Sequence, residues 1–150
     1  MLSGCVGDGG QYPSLAVRDV ERVGYQTPRP EAIPASPVIS AADLAAMLAD
    51  AQEFHSRFDE TRPGVALLAD RAAQTTMESD VRSRALIALA DLTALHGRTA
   101  LALGDLDRLE AEALGTFAPV EAIRDAQQRV ADWVQTQDEA LTDIENTIGL

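Results

Sequence analysis

The chain has no lysine, a single cysteine, two histidines and few aromatic residues, 4% of 150. Each scarcity excludes something. One cysteine cannot form an intrachain disulfide or a cysteine-rich zinc site, both of which need more than one thiol. With so few aromatics, a core must come mostly from alanine and leucine, and alanine is the best helix former. All 12 positive charges are arginines, set against 24 carboxylates, for a net charge of −12. The acidic excess removes the basic patch that a nucleic-acid backbone requires. It also removes electrostatic attraction to anionic lipid. Acidic helical faces mostly serve solubility. No unbroken apolar run reaches the ~20 residues that span a bilayer. The length suits one domain and a tail.

The lone cysteine stands fifth, at the end of Leu2-Ser3-Gly4-Cys5. An aliphatic residue, a small one, glycine and then cysteine resembles the lipobox of bacterial lipoproteins. The resemblance implies that the Cys5 thiol receives a diacylglyceryl group. It further implies that a dedicated signal peptidase cuts ahead of Cys5 and that the new N-terminus is acylated. Each buried methylene adds about 0.8 kcal/mol of membrane affinity, so two or three acyl chains anchor firmly. In that family an aspartate after the cysteine retains the protein in the inner membrane. Val6 therefore points to the outer membrane, on its periplasmic side. A lipoprotein signal carries a positive segment and an apolar segment ahead of the lipobox. Only Met1 precedes Leu2, so the resemblance implies either a start codon upstream or a chain trimmed at its N-terminus; with Met1 as the true start, the location would be cytoplasmic.

Residues 1–5 are thus read as the remnant of a lipoprotein signal, and residues 6–39 as a tether. Five of the seven prolines fall in that tether, and neither helical nor strand periodicity persists there. Proline-rich chain of this kind is extended, at up to ~3.1 Å per residue. Gln11–Arg22, "QYPSLAVRDVER", resembles the N-terminal stretch of an uncharacterised group of Gram-negative envelope lipoproteins with a similar Tyr-Pro-Ser-Leu-Ala run. That stretch is either a docking peptide for an envelope partner or a segment packed on its own domain.

The pattern changes at Ser40, and residues 40–150 read as an antiparallel three-helix bundle. Ser40 with Asp43 forms a capping-box variant. A heptad-type seam follows through Met47, Ala51, Phe54, Phe58, Thr61, Val65, Leu68 and Ala72. Pro63-Gly64 lies inside it, and a break there is the default. The apolar phase nonetheless continues without a slip, which favours one long kinked helix over two. A turn is expected from Thr75 to Ser79, with Ser79 as the next cap. The second seam runs Val81, Ala85, Ala88, Leu92, Leu95, Thr99, Ala102, Leu106, Leu109 and Ala113. Leu86, Leu89 and Leu103 widen that apolar face. Gly97 and Gly104 weaken it by ~1 kcal/mol each. Gly115, Thr116 and Pro119 signal a stop and a proline-started third helix from about Pro119 to Thr147. Its seam is Ile123, Gln127, Val130, Val134, Gln137, Leu141, Ile144 and Ile148, and Gly149 closes it. A helix of about 33 residues is ~50 Å long. The fold class is therefore all-α: a slender coiled-coil-like bundle behind a tether.

Chemistry-bearing residues are sparse. His55 and His96 lie on different helices and can meet across the bundle. A metal centre needs three or four ligands, and Glu53, Asp59 and Asp91 are the nearby candidates. Nothing in the spacing requires such a site. Carboxylate pairs such as Asp105-Asp107, Glu110-Glu112 and Asp138-Glu139 do acid–base work only in a cleft that shifts their pKa values. Here they read as a solvated face, with Asp91, Asp105 and Arg108 suited to ion pairing at helical spacing. Trp133 is expected at the edge of the core. "GDGG" leads into tether rather than helix, so it is no phosphate loop. No serine or threonine has a His-Asp setting. The expected function is structural or interaction-mediating, without catalysis or cofactor: a membrane-anchored lipoprotein facing an envelope protein partner, open to homo-oligomerisation. The alternative is a soluble acidic module that binds a metal or small ligand through His55 and His96.

Overall fold

The computed structural model describes residues 35–76 and 78–150. The lipobox, Gln11–Arg22 and most of the tether fall outside those residues. The described residues form three helices, α1 (Ala41–Ala73), α2 (Asp80–Gly115) and α3 (Glu121–Ile148), and no strand.

Local chemistry sets the helix ends. The Ser40 hydroxyl accepts from the Asp43 N–H at 3.1 Å and donates to its carboxylate at 2.7 Å. Ser79 caps α2 through the Arg82 N–H at 3.1 Å. Both caps satisfy amides that the first helical turn leaves without partners. α3 starts two residues later than its sequence signals indicate. Pro119 precedes the helix, and Val120 occupies the cap position without a capping side chain. Burial of Ala118 and Val120 against Ile123 and Ala113 holds that entry instead.

α1 runs unbroken through Pro63. Arg62, Pro63 and Gly64 all face solvent. The Asp59 carbonyl, which Pro63 cannot reach with an N–H, therefore lies on the wet side of the helix. The continuous apolar phase identified a single helix correctly.

The heptad core is strict. Ala51, Phe58, Val65 and Ala72 on α1 are buried, as are Ala85, Leu92, Thr99, Leu106 and Ala113 on α2, and Ile123, Val130, Gln137 and Ile144 on α3. One end of the bundle joins Ala51, Leu106 and Val130 in a single cluster. The other joins Val65 and Ala72 with Ala85, Leu92 and Ile144. The C-terminal half of α1 thus meets the N-terminal half of α2 and the C-terminal half of α3, so the helices run up, down and up. Alternate seam positions depart from expectation. Thr61 is exposed, while Leu44 and Ala69 are buried in addition. Leu86 does not widen the α2 core face; it is exposed, because Leu89 already fills the side turned to the neighbouring helices. Ahead of Ser40, Val38 and Ile39 pack on the cluster of Ala113, Ala118, Val120 and Ile123.

By length and composition α2 is also apolar enough to cross a membrane, with mean hydropathy 1.3 over its most apolar 18 residues. Only two charged side chains, Asp91 and Arg98, interrupt Ala85 to Gly104. The absence of an unbroken apolar run had concealed this, because Thr93, His96, Gly97 and Thr99 dilute the stretch without charging it. Part of its apolar surface faces α1 and α3, and part faces out.

Candidate functional site

The polar residues of the core gather at one level, the waist of the bundle. One heptad from Ala51, Leu106 and Val130 brings Phe58, Thr99 and Gln137, all three fully buried. Gln137 uses both amide hydrogens. One goes to Thr99 Oγ1 at 3.3 Å and the other to His55 Nδ1 at 3.2 Å. In the neutral tautomer that accepts this bond, His55 Nε2–H points to Asp59, 3.5 Å away. The His55 ring stacks on Trp133, with centroids 5.1 Å apart and planes 14° from parallel. Trp133 takes the expected place at the edge of the core, half-buried.

His96 reaches the same waist from α2 and pairs with Asp138 on α3 at 3.2 Å. The two histidines therefore flank Gln137, but each engages a different carboxylate. Among the described residues no three of the side chains His, Cys, Asp and Glu converge as metal ligands. Glu53 instead faces Arg57, at 3.9 Å. Two buried atoms at the waist, Gln137 Oε1 and His96 Nδ1, have no hydrogen-bond partner among the described residues. Gln137 Oε1 is an acceptor, and so is His96 Nδ1 in the neutral tautomer that directs Nε2–H at Asp138. In that tautomer the waist offers two lone pairs.

A second polar cluster ties α2 to α3 nearer the Ser40 end of the bundle. Glu110 accepts from Arg124 Nε at 2.6 Å, and Gln127 donates to Asp107 at 2.8 Å and to Glu110 at 3.1 Å. The hydrogen bond from Arg124, then that from Gln127, hold the Glu110 carboxyl below its ordinary pKa. A general acid requires the opposite shift. Gln127 thus leaves the seam to serve this cluster, whereas Gln137 stays in it. Asp105 pairs with Arg108 at 3.1 Å, as its spacing suggests. Asp91 does not join an ion pair among the described residues.

Clefts lie between helices rather than within the bundle. One of about 260 Å³ runs between α1 and α2 beside Met47, Phe54, Arg98 and Leu101. Another, of about 270 Å³, is mostly apolar and lies at the Ser40 end beside Val38, Ile39, Pro119 and Ile123. Neither contains the histidines. Sequence reading missed the convergence of Thr99, Gln137 and His55. Its signal was present: Thr99 and Gln137 are the only polar residues at the strict heptad positions that α2 and α3 bury. No protein-family model, curated protein or solved structure matches the chain.

Proposed function

We propose that this protein is a lipid-anchored helical bundle on the periplasmic side of the outer membrane, with a structural or protein-interaction role and no catalysis. One observation carries the interaction role. The bundle fills its core with its own side chains yet leaves Ile87, Leu101, Leu114 and Phe117 largely exposed. It offers surfaces rather than a chamber. The anchor rests on the resemblance of Leu2-Ser3-Gly4-Cys5 to a lipobox. Fractionation of cells expressing the gene from its native locus tests this reading. Wild-type protein should sediment with outer membranes and need detergent for release, whereas Cys5→Ala should not. Equal recovery of both in the soluble fraction would refute the anchor.

A second reading is a soluble acidic module that holds a metal or small ligand through His55 and His96. The two unpartnered polar atoms at the waist, Gln137 Oε1 and His96 Nδ1, favour it. It requires that zinc or nickel alone raise the Tm of the protein, and that His55→Ala abolish the rise, since binding to the folded state stabilises by mass action. No response to either metal removes the metal form of this reading.

A further inference from the structure

The solvent-facing side of α2, along the α1–α2 cleft, carries a pattern that its own fold uses only in the Asp105–Arg108 pair. Ala94 is exposed near the middle of the helix. Ile87 and Leu101 lie seven residues to either side, and both are about two-thirds exposed. Between them stand Asp91, three residues before Ala94, and Arg98, four after it. Further out come Arg84 and Asp105, ten before and eleven after. Outermost are Asp80 and Arg108, each fourteen away. Steps of three and four keep all of these on one stripe. Reversing the direction of the stripe about Ala94 exchanges every acid for an arginine and every large aliphatic for another.

Such a stripe complements a copy of itself running the opposite way. We infer that α2 packs against α2 of a second copy of this chain, antiparallel, about a two-fold axis at Ala94. Ile87 then meets Leu101 of the other protomer, Asp91 meets Arg98, Arg84 meets Asp105 and Asp80 meets Arg108, each twice per dimer. Isologous contacts of this kind are self-complementary and closed. A parallel pairing would set like charges against each other.

Two further observations agree. Asp91 and Arg98 are seven residues apart on one helix, too far to pair with each other, and neither is in an ion pair among the described residues. Beside the stripe, Ser83, Ala90, Gly97 and Gly104 recur every seven residues. A Cβ added at Gly97 or Gly104 would meet nothing within 4 Å in the protomer. The protomer's packing therefore does not call for these helix-weakening glycines, whereas a close helix–helix approach would. The α3 helix would repel a copy of itself, since seven of its residues are acidic and two are arginine. The pairing does not depend on whether Cys5 is acylated.

Sedimentation equilibrium of the full chain under reducing conditions tests the pairing, with Asp91→Arg, Arg98→Asp and the double charge swap compared with wild type. Exposed positions on a helix tolerate these changes, and circular dichroism confirms folding of each variant. Wild type should be dimeric. Each single variant sets like charges together twice per dimer and should weaken dimerisation at least about tenfold. The double variant should recover most of that loss, and added salt should weaken wild type and double variant alike. A monomeric wild type, or a double variant no tighter than the singles, would overturn the pairing. A wild type that is monomeric but floats with phosphatidylcholine vesicles would assign the face to lipid instead.

Discussion

Phe117 and Gly149 hold the same position at the ends of two helices, and only one of them suits it. In both places the backbone turns left-handed, with φ +57° at Phe117 and +80° at Gly149. In both, the following N–H bonds back to a carbonyl five residues earlier, Ala118 to Ala113 at 2.8 Å and Leu150 to Glu145 at 3.1 Å. Glycine takes this conformation freely, while a side chain with a Cβ is strained by roughly 1–2 kcal/mol. Phe117 gains nothing in return, being 90% exposed. Phe117→Gly should therefore stabilise the protein by about 1 kcal/mol, read as a rise in the urea midpoint at constant slope. A fall would show that the ring packs on something. The sequence contained Gly115 and Thr116 as a stop, and α2 does end at Gly115. Which residue would take the left-handed turn was not legible, because glycine two positions earlier was the natural candidate. Gln137 poses a related question. Its Oε1 is buried without a partner. Gln137→Leu should leave unfolding stability within about 1 kcal/mol of wild type, since relief of the unsatisfied acceptor offsets the donor that His55 Nδ1 loses. Thr99 keeps its bond to the Leu95 carbonyl, at 3.4 Å. A loss above about 2 kcal/mol would reveal a partner for Oε1. Glu110 sets a pH dependence. Its folded pKa lies below the ordinary 4.5, so its contribution is complete above the unfolded value and fades as pH falls through the folded one. Glu110→Gln should flatten the fall of Tm with acid below pH 4.5. Parallel Tm profiles for the two proteins would contradict this.

Among the elements, α1 shows how far periodicity alone can be trusted. Val65, Leu68 and Ala72 continue the phase set by Ala51 and Phe58 across Pro63, and the helix is continuous. Core packing on both sides of the proline outweighs its lost hydrogen bond, and the ring points away from the core. The cost should still be measurable. Pro63→Ala should raise stability by up to about 3 kcal/mol, with the increase seen in urea unfolding. No change would mean that the first helix yields at Pro63 in solution. The strict heptad positions were legible because burial there is complete. The intervening positions were not, since Met47, Phe54 and Leu68 are only half-buried and the three-residue and four-residue steps compete. In α2 the same seam rule captured the core face but hid the exposed stripe beside it. Exposed Ile87 and Leu101 look like additional core in a one-dimensional reading. The waist was legible only in part. Gln137 stood out as a polar seam residue, but the stacking of His55 on Trp133 depends on the register between α1 and α3, which a single sequence does not supply.

At the scale of the whole molecule, three heptad seams close on one another with a polar layer in the middle. The apolar layers on either side repeat at the same seven-residue spacing, so periodicity alone leaves the register open. The Thr99–Gln137 bond forms at one register only, as a single polar position fixes alignment in coiled coils. The molecule then divides its labour. The core sets shape, the exposed stripe of α2 is proposed to take a second copy, and Cys5 is proposed to set location. That last assignment decides where any partner is to be sought. It is tested most directly by the intact mass of the protein made from its native locus, upstream DNA included, beside a Cys5→Ala control. A chain beginning at Cys5 and carrying acyl mass that the control lacks is the predicted result. An unmodified chain beginning at Met1 would contradict it and leave the helical bundle without its membrane.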